Sequence, residues 1–295
     1  VGSGALDANT TGGSNVAIGY NALGANTTAS ANIAIGRNAA LTNTTGSSLV
    51  AMGYGALQSN TTGSNNTALG RNTLLANTTA DYNTAIGYDA LVANTTGAQN
   101  TIVGGLAGDA ITTGNYNVGV GVHAVGSTTT ASNNTGIGYN ALYANTTGSE
   151  NTAVGRFSLD ANTTGTNNVA IGNQALGANT TANYNTAIGE SALVTNTTGA
   201  FNIGVGSFAL EANTTANANV AIGYDALGNC TTGTTNTCVG HEAGNAITTG
   251  SLNNALGYNA LDKITTASEN TGIGSSALGS VTTGSHNIGI GHLAM

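Results

Sequence analysis

The chain is expected to be an all-β protein, a parallel β-solenoid or β-roll of about 17 coils with 17 residues per coil. Three observations predict this. A 17-residue repeat runs unbroken through the sequence, glycine returns at one fixed place in every copy, and Asn, Thr and Gly, all poor helix formers, dominate the composition. From Asn15 onward, every seventeenth residue opens a related phrase: Asn15-Val16-Ala17-Ile18-Gly19, Asn83-Thr84-Ala85-Ile86-Gly87, Asn168-Val169-Ala170-Ile171-Gly172. No insertion or deletion interrupts the series. Residues 1–295 therefore form a single repeat domain, with a partial coil over 1–14, sixteen full coils over 15–286 and a partial coil over 287–295.

Seventeen residues cannot bury an apolar side alone, so stacked copies must bury it together. Constant register implies that each coil hydrogen-bonds to the next, because one inserted residue would bulge the ladder. The strands are then parallel and ~4.8 Å apart, giving a rod on the order of 80 Å long.

Substitutions among the copies predict which way each position faces. Position 4 is always aliphatic (Ile18, Ile35, Met52, Leu69) and is expected to point into the coil. Position 2, β-branched except at Asn254, is expected to share that face, and position 9, mostly Leu as in Leu23 and Leu57, to supply the rest of the core from a second strand. Position 12 is Asn in eleven coils but Ile111, Cys230 or Val281 in others, which predicts an inward ladder of stacked amides. Gly at position 5 in every coil calls for φ > 0 or a close backbone neighbour. All sixteen charged residues fall at positions 6, 7, 10, 11, 16 or 17, the expected solvated corners.

Composition excludes several classes. With 45 Gly but no Pro the chain is not collagen, and at 40% hydrophobic and 5% charged it should be ordered. Four cations against twelve acids, a net charge of −8, make nucleic acid and anionic membrane poor partners, and no apolar run reaches membrane-spanning length. Val1-Gly2-Ser3 reads as an internal start, so the chain is expected to be a piece of something longer.

The run N-[VT]-A-I-G, followed by a small polar turn, resembles the head repeats of YadA-like trimeric autotransporter adhesins and similar repeats in phage tail fibres. The resemblance implies a left-handed β-roll, three chains side by side, and an extracellular, cell-surface or virion-surface location. It covers the whole chain, although the unit here is longer. The residues also point to association. Positions 1, 3 and 5, for example Asn15, Ala17, Gly19, Asn83, Ala85, Gly87, Asn168, Ala170 and Gly172, never carry charge, and are expected to form an inter-chain face.

Candidate chemistry is sparse. The GxG patterns lack a following helix, the histidines (His123, His241, His286, His292) are scattered, and no catalytic grouping stands out, so no enzyme, cofactor or metal site is expected. Cys230 and Cys238 read as free buried thiols. Asn-Thr-Thr is a repeated glycosylation sequon, but aliphatic stand-ins at its Asn place it inside. Paired Thr suggests an ice-binding solenoid only remotely, since neighbours in a strand face opposite ways. Tyr20, Tyr54, Tyr88, Tyr139, Tyr224 and Tyr258, all at position 6, form a candidate surface strip for a host glycan or protein, or else a self-stacked corner. The expected function is a structural, adhesive extracellular head or fibre without catalysis. The alternative is a filament subunit, or phage fibre shaft, stacking end to end.

Overall fold

A computed structural model describes residues Val1–Met295. The chain is an all-β parallel solenoid with no helix, and each coil contributes one three-residue strand, from β1 (Val16–Ile18) to β17 (Ile288–Ile290). It forms two compact units, Val1–Ser149 and Glu150–Met295. In the first, β1 to β8 (Thr135–Ile137) pair in parallel with a constant 17-residue offset, Val16 opposite Ile33 and Ala17 opposite Ala34. In the second, β9 (Thr152–Val154) to β17 pair in the same way.

Coil-to-coil hydrogen bonding continues far beyond these short strands. The Asn38 N–H donates to Tyr20 O at 2.9 Å, Leu23 N–H to Ala39 O at 3.0 Å, and Thr44 N–H to Thr61 O at 2.9 Å. Since nearly every part of a coil is tied to its neighbour, a strict repeat length is a geometric requirement.

The expected second strand at position 9 is absent. Positions 7, 9 and 17 instead take the left-handed conformation, as Asn21 (φ 56°), Leu23 (φ 51°) and Ala31 (φ 60°) show. Asn and Asp recur at position 7 because a short polar side chain tolerates this region. Leu at position 9 tolerates it less well, at ~1–2 kcal/mol per residue; the return is that its side chain is fully buried across the coil interior. At position 5 the glycines sit at φ near 135°, and a Cβ on Gly19 would strike the carbonyl of Gly36 in the next coil. The invariance of that glycine follows from both facts.

The alternation along each strand holds, but its sense is the reverse of the expectation. Position 3 is inside, with Ala34, Ala85 and Ala170 fully buried, whereas positions 2 and 4 face outward: Val16 is 44% exposed, Ile18 46% and Leu69 43%. The coil is too narrow to hold an Ile rank opposite the Leu rank. Where position 3 is Gly119, an added Cβ would already come within 2.7 Å of Val125 Cγ2. Where position 3 is large, position 9 shrinks to match: Ile102 is paired with Gly108, and Cys238 with Gly244.

Two amide ladders complete the interior. At position 12, Asn43 Nδ2 donates to Asn26 Oδ1 (3.2 Å) and Asn60 Nδ2 to Asn43 Oδ1 (2.8 Å), with every member from Asn26 to Asn94 fully buried. The ladder expected from the aliphatic substitutions is therefore present. It breaks where Ile111 and Cys230 enter, which leaves Asn94 Oδ1 and Asn213 Oδ1 without partners. The second ladder is at position 1: Asn83 Oδ1 accepts from the Asn100 backbone N–H at 2.9 Å, while Asn83 Nδ2 donates to Gly97 O at 2.9 Å.

Candidate binding surfaces

The proposed inter-chain face is corrected by this packing. Asn83, Ala85, Asn168 and Ala170 are fully buried inside a single chain, Ala17 is nearly so, and Asn15 belongs to the same inward rank. Gly19, Gly87 and Gly172 stack on the glycines of the next coil. The five buried residues offer no surface to another molecule, and Asn15 and the three glycines are only part-exposed. The physical reason is the narrow coil, which takes the small residues inward and turns the bulky ones out.

The surface that exists in their place is the rank of positions 2 and 4. Val16, Ile18, Ile33, Leu69, Ile171, Ile188, Ile222 and Leu256 are all exposed large hydrophobics, and no charged residue occurs at either position in any coil. Such a rank is contiguous along each unit, since strands lie ~4.8 Å apart. At Asn254, the one departure from β-branched residues at position 2, the rank dips into an apolar hollow of about 230 Å³ lined by Thr237, Val239, Leu256 and Ile273. Parallel sheets usually have both faces covered, and this one has an inner face packed and an outer face bare.

The corner at position 6 carries the tyrosine strip. Tyr20, Tyr54, Tyr88, Tyr139, Tyr224 and Tyr258 are each about half exposed. They do not stack on one another. In the first unit Arg37 lies 5.8 Å from the ring centres of both Tyr20 and Tyr54, and Arg71 lies 5.7 Å from that of Tyr88. In the second, His241 sits between Tyr224 (5.1 Å) and Tyr258 (5.5 Å). The interleaved arginines and histidine are the feature that the tyrosines alone do not reveal. The signal was present, since three of the chain's four cations share position 6.

The remaining candidates occupy separate places. No three of the His, Cys, Asp and Glu side chains converge as metal ligands would. His286 Nδ1 meets Glu269 Oε2 at 3.0 Å on the surface, a carboxylate partner that scattered histidines did not predict. Cys230 and Cys238 are free and buried; burial pushes the Cys230 thiol up to about 11 and that of Cys238 higher still, so neither is a ready nucleophile. The Asn residues of the sequons from Asn26 to Asn94 are inside the folded coil. In most Thr pairs the first donates its hydroxyl to the next coil, as Thr44 Oγ1 does to Thr61 O at 3.0 Å, and the second is exposed. No helix is present that is long and apolar enough to cross a membrane.

No protein-family model matches the chain, and no curated protein matches it.

Proposed function

We propose that this chain is a structural and adhesive segment of an extracellular fibre or head, that it associates side by side with two sister chains, and that it performs no catalysis. One observation carries this reading: each unit presents an uncharged rank of Val, Ile, Leu and Thr on the outer face of a parallel sheet. Burying such a rank is worth roughly 25 cal/mol per Å² of apolar surface, and repetition along many coils makes even a narrow stripe substantial. A three-fold arrangement covers one such stripe per chain around a common axis. The resemblance of the Asn-Val-Ala-Ile-Gly phrase to YadA-like heads supports the same assembly and a left-handed coil. With the apolar rank covered, the corner bearing Tyr20, Tyr54 and Tyr88 is the surface offered to a host glycan or protein.

Light scattering tests the assembly. The chain is expected to have the mass of three copies, and Ile86→Lys with Ile188→Lys to reduce it to one while the β-type circular dichroism is unchanged. A wild-type chain that runs as a single copy, or a double variant that stays associated, would overturn the proposal.

A further inference from the structure

Position 10 carries a second, longer rhythm. Its residues run Asp7, Gly24, Leu41; Gln58, Leu75, Val92; Asp109, Gly126, Tyr143; Asp160, Gly177, Val194; Glu211, Gly228, Asn245; Asp262, Gly279. Every glycine at this position follows an acid by one coil, and where the acid is replaced by Gln58 the glycine is replaced by Leu75. None of these glycines has a positive φ, so conformation does not demand them. They leave space beside a carboxylate.

What fills the space differs from copy to copy. The ring of Tyr143 closes over Gly126, at 3.0 Å from where a Cβ would stand. The Asp225 carboxylate and Asn245 crowd Gly228, and Leu41 lies 3.4 Å from the Cβ position of Gly24. Over Asp160 the space is open: a hollow of about 360 Å³ is lined by Phe157, Asp160, Gln174, Gly177, Ala178 and Val194. A volume of that order suits a small ligand.

Asp262, the acid at the same position, shows the chemistry that such a carboxylate accepts. Lys263, the chain's one lysine, places Nζ 3.0 Å from Asp262 Oδ2. The residue equivalent to Lys263 in the Asp160 coil is Ala161, and no ion pair reaches Asp160. Burial raises the Asp160 carboxyl above its ordinary value, opposed only by the backbone N–H groups of Asp160 and Ala161. The Arg156 guanidinium lies 4.7 Å from the centre of the Phe157 ring, a contact of its own that adds no attraction at Asp160.

We infer that the hollow over Asp160 binds a primary ammonium group on a short apolar stem, the carboxylate of Asp160 pairing with the ammonium and Phe157 and Val194 packing the stem. Free amines and the side chain of a lysine share this chemistry. The site stands apart from the outward rank of positions 2 and 4, so it is open in a single chain and in a side-by-side assembly.

The test is calorimetric titration of the whole chain with butylammonium chloride at neutral pH and fixed ionic strength, against butanol and sodium butyrate. Saturable binding of the ammonium alone is expected. Asp160→Gln and Gly177→Leu should each weaken it at least tenfold, while Asp262→Gln leaves it unchanged. Both site variants copy residues the chain already holds at this position, Gln58 and Leu41, and circular dichroism checks each fold. Should Asp160→Gln fail to fold, Gly177→Leu decides alone. Nα-acetyl-lysine methylamide separates the sources: binding comparable with butylammonium assigns the hollow to a protein lysine, and markedly weaker binding assigns it to a free amine, both in support. Equal titration of wild type and site variants, or butanol binding as well as butylammonium, would overturn the inference.

Discussion

The inner and outer ranks of the same strand look alike in composition, both uncharged and both rich in small or aliphatic residues, yet they obey different rules. Inside, size is coupled: Ile102 faces Gly108, Cys238 faces Gly244, and Leu49, which takes the place of an inward Asn, sits one coil from Ala40 where other coils have Leu. Outside, Ile18, Leu69 and Val154 exchange at position 4 while Ala stays at position 3 and Leu at position 9 of their coils. Coupled volume marks a close-packed interior, because such an interior feels even one methylene. Hydrophobicity alone does not, since a bulky apolar residue is equally at home under a partner.

Three experiments probe this contrast, and the largest effect is expected where inside contact is backbone to backbone. Gly87→Ala combines a backbone conformation closed to L residues with a clash against the Gly104 carbonyl, and should lower stability by more than about 3 kcal/mol in chemical denaturation. Next is the loss of a coupled side chain. Ile102→Ala leaves a cavity that Gly108 cannot fill and should cost about 2–5 kcal/mol, whereas Ile188→Ala, on the outer rank, should cost under about 1 kcal/mol in a chain held monomeric by dilution. Equal costs would erase the distinction between the two ranks. Smaller again is a transplant of the coupling itself. Ala187→Ile should overpack its coil by about 1–3 kcal/mol, and adding Leu193→Gly, in imitation of Ile102 with Gly108, should recover at least about 0.5 kcal/mol in a double-mutant cycle. Strict additivity would show that the pairing in the native sequence is coincidental.

Much of the fold was legible because repetition multiplies each observation. One coil with Gly at position 5 says little; a glycine in every coil implies the positive φ and the close approach that Gly19 and Gly36 display. Ile111 and Cys230 standing in for Asn correctly placed position 12 inside. The strand direction, the coil length and the exposure of the position 6 corner followed from the same logic. The candidate sites were legible in part. The tyrosine corner is where it was expected, but its arginines read as solvated corner residues and His241 as a scattered histidine, since ring contacts depend on rotamers that spacing does not specify. The hollow over Asp160 was hidden for a similar reason. The three-coil recurrence of glycine at position 10 was visible, but whether Tyr143, Asn245 or nothing occupies the space depends on side-chain direction.

Periodicity settled the period, the parallel register and the positions where no side chain fits, because those follow from covalent length and backbone hydrogen bonding, which every copy repeats. Folding in three dimensions was needed to say which side of each strand is in. That choice is made by the width of the coil: left-handed residues at positions 7 and 9 fold Leu back across a space that the two amide ladders already narrow. Only alanine or glycine fits opposite a leucine, so Ile18 and its counterparts are turned outward and form an exposed apolar rank.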